Sequence, residues 1–261
     1  MTSGILVEYD GAIATVALSN PAKLNAITAA MWGELKSAME ALSARDELRC
    51  VVLRGSGTEA FAAGADIAEF AAVRDNVEQG RYYHRELVRG ALEAVAECRH
   101  PTIAMIHGPC VGGGLEIACQ CDLRISGRSG RFGVPINRLG FAIAYDELAA
   151  ILPLMGRAAA LEILIEGRVW DAQEAHAKGL LTRVVPDDHL ERECRATAGR
   201  IAEGAPLVNR WHKKLVRRLT PRPEPLTPEE IEANFAYFAT EDYREGMAAF
   251  AEKRKPRFKG R

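Results

Sequence analysis

Apolar residues recur with two different periods along the chain, and the switches between them mark its elements. Ile5-Leu6-Val7-Glu8-Tyr9 and Ile13-Ala14-Thr15-Val16-Ala17-Leu18 are strand-like runs on either side of Asp10-Gly11, a two-residue turn signal that predicts a hairpin. Asn20-Pro21 closes the second run. Thr28 is then placed to cap a helix whose Met31, Leu35, Ala38, Met39 and Leu42 share one face. Cys50-Val51-Val52-Leu53-Arg54, short, apolar and closed by Gly55-Ser56-Gly57, predicts a buried strand.

A long helical pattern over residues 77–98 is broken by His100-Pro101 ahead of the strand Thr102-Ile103-Ala104-Met105-Ile106. A helix starts near Gly113, and Asp122-Leu123-Arg124-Ile125-Ser126 returns as a strand. From about 145 the pattern is mostly helical, with a Pro-rich joint at Pro221-Arg222-Pro223-Glu224-Pro225. Thr227-Pro228-Glu229-Glu230 is a helix start, with Thr as N-cap and Pro in the first position. This alternation predicts an α/β class without internal repeats.

A chain of 261 residues can bury one large domain, or one domain with a helical appendage. Its 48% hydrophobic and 26% charged residues, with a net charge of −1, supply no field that would steer it to nucleic acid or an anionic membrane. Met1-Thr2-Ser3-Gly4 leads straight into an apolar run with no basic segment before it, and no window holds the roughly 18 uninterrupted apolar residues of a span. The expectation is a cytoplasmic protein, or an organellar one after loss of a transit peptide. The six cysteines sit among apolar neighbours and read as reduced core residues, and Cys119-Gln120-Cys121 lacks a second pair at zinc-ligand spacing, so no metal is expected.

The candidate chemistry lies in two small-residue turns, each between an apolar strand and a helix start: Phe61-Ala62-Ala63-Gly64-Ala65-Asp66-Ile67 and Gly108-Pro109-Cys110-Val111-Gly112-Gly113-Gly114-Leu115-Glu116. Small residues admit a ligand close to the backbone, and a helix start leaves N–H groups unpaired. Either turn can hold an anion or serve only as punctuation. Neither a P-loop nor a dinucleotide fingerprint occurs, which removes support from nucleotide hydrolysis and Rossmann hydride transfer. Glu116 falls one helical turn past Gly113, on the face that would look toward a bound group.

The order and spacing of these segments resemble the enoyl-CoA hydratase/isomerase (crotonase) superfamily over nearly the whole chain. The match runs from Asn20-Pro21-Ala22-Lys23-Leu24-Asn25-Ala26 through both turns, Cys121-Asp122-Leu123-Arg124, Phe132-Gly133-Val134-Pro135 and Leu139-Gly140 to Thr240-Glu241-Asp242-Tyr243-Arg244-Glu245-Gly246-Met247 and Phe250-Ala251-Glu252-Lys253-Arg254-Lys255-Pro256.

The resemblance implies a spiral of ββα units over residues 1–200 carrying an acyl-CoA site, and a helical oligomerisation region over 201–261 in a homotrimer or a hexamer of paired trimers. An apolar stripe of Phe235, Phe238, Met247 and Phe250 would suit that packing. It implies that the N–H groups of Ala65 and Gly113 form an oxyanion hole for a thioester and that Glu116 activates the water added at the β-carbon. Lys23, Leu24, Ala26, Ala63 and Ile67 are implied to bind coenzyme A, with Phe250 and Lys253 reaching the coenzyme of a neighbouring subunit. Lys253 reads equally as a solvated charge in a basic tail. No cofactor is implied beyond coenzyme A as part of the substrate.

Two departures bear on the reaction. Ile136 stands where a second glutamate follows the proline of the Phe-Gly-x-Pro segment, and it cannot move a proton. Gly140-Phe141-Ala142-Ile143-Ala144-Tyr145-Asp146-Glu147 replaces a glycine-rich turn, with Tyr145, Asp146 and Glu147 read as cap or surface residues rather than replacement acids. Hydration of a 2-enoyl-CoA is the first expectation; thioester hydrolysis, decarboxylation and non-catalytic acyl-CoA binding stay open. The six histidines are dispersed and suggest no triad. Leu207, Trp211 and Leu215 predict an amphipathic helix whose basic face is solvated, so Trp211-His212-Lys213-Lys214 is not read as a nucleic-acid site.

Overall fold

The computed structural model describes residues 3–220 and 227–259, so the Pro-rich joint at 221–225 and the first two residues lie outside the described part. Its strands are β1 (Gly4–Asp10), β2 (Ile13–Ser19), β3 (Cys50–Gly55), β4 (Thr102–Ile106), β5 (Pro109–Val111), β6 (Leu123–Gly127), β7 (Arg131–Gly133), β8 (Val169–Asp171) and β9 (Arg183–Val185). Its helices are α1 (Ala29–Ala44), α2 (Phe70–Val73), α3 (Val77–Tyr82), α4 (Arg89–Glu97), α5 (Gly113–Gln120), α6 (Tyr145–Ile165), α7 (Ala172–Ala177), α8 (Asp187–Glu203), α9 (Pro206–Leu219), α10 (Pro228–Asn234) and α11 (Glu241–Ala251).

The predicted hairpin forms, with Gly11 at φ 58 in its turn, and feeds a six-stranded sheet in the order β1-β2-β3-β4-β6-β9. Every pairing after the hairpin is parallel. A second sheet, β5-β7-β8, stands beside it. The expected α/β class is therefore present.

Both faces of the large sheet are covered, which explains why β3 is apolar without alternation from Cys50 to Leu53. Val51 and Leu53 turn to the main core with Met31, Leu35, Met39 and Leu42 of α1, whereas Cys50 and Val52 pack with Leu190, Cys194 and Ala198 of α8. Thr28 caps α1 by accepting the Met31 N–H at 3.2 Å, a bond worth about 1 kcal/mol. All six cysteines are buried and unpaired, and burial raises the Cys50 and Cys194 thiols to about 12.

Two polar anchors, Arg124 buried and Asp122 half-buried, hold the chain where it leaves α5. The guanidinium of Arg124 donates to the carbonyls of Cys121 at 2.5 Å and Leu180 at 2.8 Å. Asp122 accepts the Thr102 N–H at 2.8 Å and pairs with Lys213 at 2.8 Å. Helix α6 is long and apolar enough to cross a membrane by length and composition, but it is broken at Gly156 (φ 74, ψ 172), carries Pro153, and packs on α5.

The C-terminal part corrects two expectations. The basic residues of α9 are solvated only in part: His212, Lys214 and Arg218 are exposed, but Arg210 donates to the Asp46 carbonyl, Lys213 to the His100 carbonyl and Arg217 to the Ala96 carbonyl. The apolar face looks outward instead, with Leu207, Trp211, Leu215 and Leu219 between 55% and 79% exposed. Conversely, Phe235 and Phe238 are buried within their own chain, with Met247 packed against them; of that predicted stripe only Phe250 is exposed.

Candidate active site

The first turn is fixed by the loop ahead of α1. Asn25, at φ 57, donates from Nδ2 to the carbonyls of Ser56 and Ala60, and Asn20 donates from its side chain to the Ala26 carbonyl. That loop then pairs with the turn: Ala63 N–H to Leu24 O at 3.0 Å, Ile27 N–H to Gly64 O at 2.8 Å, and Asp66 N–H to Ile27 O at 2.8 Å. Ala65, between these bonded positions, has an N–H that donates to no described group.

The second turn lies directly against the first. Val111 N–H donates to Ala62 O at 3.0 Å, and Ala62 and Cys110 form a parallel bridge. A Cβ on Gly112 would lie 3.8 Å from Gly64 Cα, and one on Gly114 only 2.5 Å from Ala62 O, so neighbouring glycines let the backbones close up. Gly112 adopts φ 49 and hands its own N–H to Gly133 O at 2.9 Å. Gly113, the first residue of α5, keeps an N–H with no partner among the described residues. Two free amides thus sit on touching turns, one at the positive end of a helix.

Glu116 accompanies them, 6% exposed. Burial pushes its carboxyl well above the ordinary range, the Glu147 carboxylate adds to that rise, and Arg74 opposes it. Glu147 is neither a surface residue nor merely a cap. Its Oε2 accepts the Ala144 N–H at 3.2 Å, its Oε1 lies 2.5 Å from His84 Nδ1, and the side chain is buried. Burial alone would raise Glu147; the His84 charge and hydrogen bond, the Ala144 N–H and Arg74 outweigh it and bring the carboxyl below the ordinary range.

An aromatic wall closes the site. Trp32 Nε1 donates to the Tyr83 hydroxyl at 2.9 Å, and the same indole lies against Gly113, where an added Cβ would meet it at 2.9 Å. Arg74, 2% exposed, stacks 4.2 Å from the Phe70 ring centre and 4.5 Å from that of Phe141. Its Nε has no partner among the described residues, and its Nη2 reaches the Tyr237 hydroxyl at 3.4 Å. Ile136 is half-buried against the main core and contributes only packing.

Of the residues nominated from the sequence, Ala65, Gly113 and Glu116 come together. Lys23, Leu24, Ala26, Ala63 and Ile67 gather beside them, and Lys23 Nζ meets Asp66 Oδ2 at 2.6 Å. Phe250 is exposed at the end of α11, and Lys253 is exposed just beyond it at φ 54. Sequence reasoning missed His84 and Arg74 and misplaced Glu147. The available signal was slight: a histidine inside a helical pattern and a glutamate in the first turn of another helix.

Two free amides on touching turns, one of them a helical turn ahead of a buried carboxyl, form an arrangement that can hold a carbonyl oxygen while negative charge develops on it. The enoyl-CoA hydratase/isomerase family matches residues 8–261, and this chain belongs to it. It is 37% identical over 257 residues to a Mycobacterium tuberculosis protein named "Probable enoyl-CoA hydratase", covering 97% of each chain. Among solved structures, an enoyl-CoA hydratase/carnithine racemase from Magnetospirillum magneticum is 52% identical with a TM-score of 0.82, covering 98% of this chain and 96% of that one. A methylmalonyl-CoA decarboxylase in complex with 2-nitronate-propionyl-CoA is 30% identical with a TM-score of 0.88, covering 98% of both chains.

Proposed function

We propose that this chain adds water across the C2=C3 bond of a 2-enoyl-CoA, with the Ala65 and Gly113 amides holding the thioester oxygen. The observation that carries this reading is the pair of unpartnered N–H groups on touching turns beside buried Glu116. As water attacks C3, the C2=C3 π electrons move toward the thioester and its oxygen gains charge. Donors already in place stabilise that charge without reorganising, each by about 3–4 kcal/mol. Glu116 takes the proton that water loses. A carboxyl raised toward neutrality is a stronger base than an exposed glutamate, which suits it to this task.

Coenzyme A is bound as part of the substrate, along Lys23, Leu24, Ala26, Ala63 and Ile67, with Phe250 and Lys253 of a neighbouring copy completing the site. The outward apolar face of α9 supports association into a trimer or a pair of trimers. Likeness to a decarboxylase supports a second reading, since loss of CO2 from a malonyl-type thioester forms the same enolate. The test is a panel of enoyl-, β-hydroxyacyl- and malonyl-type CoA thioesters, followed by mass spectrometry with the wild type and Glu116→Gln. Hydration lost in the variant is expected; release of CO2 or free coenzyme A in its place overturns the assignment.

A further inference from the structure

Hydration needs a second proton event, at C2, and Ile136 cannot supply it. We propose that His84, held by Glu147, is the group that exchanges a proton with C2, through its Nε2. This inference rests on the hydratase reading above and names the missing partner of Glu116.

Three independent observations carry it. The first is backbone geometry between α3 and α4. The Arg89 N–H reaches back five residues to the His84 carbonyl, so the helix widens into a π turn over Tyr83–Val88. Such turns are rare and recur at functional sites because they re-aim side chains. Here the consecutive residues Tyr83 and His84 are both buried, at 2% and 6% exposed. Tyr83 leads through Trp32 to Gly113, which places this turn beside the amides.

The second is the orientation of the imidazole. At 2.5 Å the Nδ1–Oε1 contact holds a proton, and because the Glu147 carboxyl is kept below the ordinary range by its neighbours, that proton sits on Nδ1, which donates to it. A carboxylate on one ring nitrogen fixes the tautomer and stabilises the imidazolium, leaving the other nitrogen for chemistry. Glu147 itself cannot be that group, because Oε1 is taken by His84 and Oε2 by the Ala144 N–H.

The third is that Nε2 is buried and makes no hydrogen bond among the described residues. A buried polar atom left without a partner calls for an explanation, and a proton exchanged with a bound substrate supplies one here.

The step balances. One O–H bond of water breaks, its proton goes to the Glu116 carboxylate, and the oxygen bonds to C3. The C2=C3 π pair forms the C2–H bond with the proton leaving Nε2 of the His84 imidazolium. His84 ends neutral, still donating from Nδ1 to Glu147. Glu116 ends protonated, and exchange with solvent after product release restores both groups. Glu147 is a positioning residue in this scheme.

Exchange of the C2 protons of butyryl-CoA with D2O isolates the step, because it requires enolate formation but no water addition. Glu116→Gln is expected to stop hydration of crotonyl-CoA and keep the exchange. His84→Gln is expected to lose exchange and kcat together by about 10²–10⁴-fold, with KM within a few-fold. Glu147→Gln should lose less, and the double variant no more than His84→Gln alone. A folded His84→Gln protein that exchanges like the wild type overturns the proposal and leaves hydration standing. A wild type that neither hydrates nor exchanges overturns the hydratase reading itself. Should His84→Gln fail to fold, 15N-histidine-labelled wild type titrated with acetoacetyl-CoA decides the matter. The Nε2 signal of His84, identified by its response to Glu147→Gln, must shift on binding; an unmoved signal refutes the role.

Discussion

A single methyl group at position 114 tests the pairing of the two turns. Gly114 is buried one residue past Gly113, and a Cβ there would stand 2.5 Å from Ala62 O and 2.8 Å from Ala62 Cβ. Ordinary contact begins near 3.4 Å, so the backbones must part by about 0.9 Å. Ala62 cannot yield freely, because its carbonyl already accepts the Val111 N–H that joins the turns. Alanine would favour the helix by about 1 kcal/mol, while overpacking costs about 1–3 kcal/mol, so Gly114→Ala is expected to fold with a modest loss of stability. Catalysis should suffer more. Displacing one donor by roughly 1 Å removes most of its worth, and kcat for crotonyl-CoA hydration should fall about 10²–10³-fold with KM little changed. Gly33→Ala, where an added Cβ meets nothing within 4 Å, is the control and should hydrate like the wild type. Loss of enoyl absorbance gives the rates, and thermal melts confirm folding. A folded Gly114→Ala enzyme with wild-type kcat would refute the claim that the paired amides carry the reaction.

Four further expectations follow from the same geometry. The folded-state pKa of Glu116 lies well above its ordinary 4.5, so the folded protein binds more protons than the unfolded chain between those values and loses stability as pH climbs through them; melts of Glu116→Gln should fall less over that window. The acid limb of kcat/KM should sit above the ordinary carboxylate range, moving down in Glu147→Gln, which removes like-charge repulsion, and up in Arg74→Met, which removes the opposing cation; limbs that stay fixed in both variants would detach Glu116 from the reaction. Lys23→Ala should raise KM for acyl-CoA several-fold with kcat unchanged, by an amount that shrinks at high salt, as initial rates at two ionic strengths will show. Trp211→Glu, on the exposed apolar face of α9, should shift the elution of the protein in size-exclusion chromatography toward a smaller species.

The parts legible from sequence are those fixed locally. Asp10-Gly11, the Thr28 cap and the Thr227 cap each depend on neighbours within a few positions, and each forms where the pattern places it. The two turns were legible for the same reason, since small residues ahead of a helix start announce free N–H groups. The His84–Glu147 pair was not, because its members are 63 positions apart and meet only after a π turn rotates one and α6 docks the other. Helix α9 shows a different limit. Periodicity separates its two faces but does not say which one turns inward. That is decided by the Ala96, His100 and Asp46 carbonyls and the Asp122 carboxylate, which receive Arg217, Lys213 and Arg210.

Burying two carboxyls, a histidine and an arginine together would be costly unless their charges cancel. Before water attacks, the scheme has Glu116 and Glu147 ionised, His84 protonated and Arg74 carrying its fixed charge, so the cluster is neutral. Afterwards Glu116 is protonated and His84 is neutral, with Glu147 and Arg74 unchanged, and the cluster is neutral again. The proton moves between groups without changing the charge held out of solvent, so neither state pays the full penalty of an uncompensated buried ion. This gives Arg74 a reason to be buried among aromatic rings with no carboxylate bonded to it among the described residues. In this scheme His84 adds a positive charge that a glutamate at position 136 would not, and Glu147, bonded to its Nδ1, supplies the negative charge that balances it.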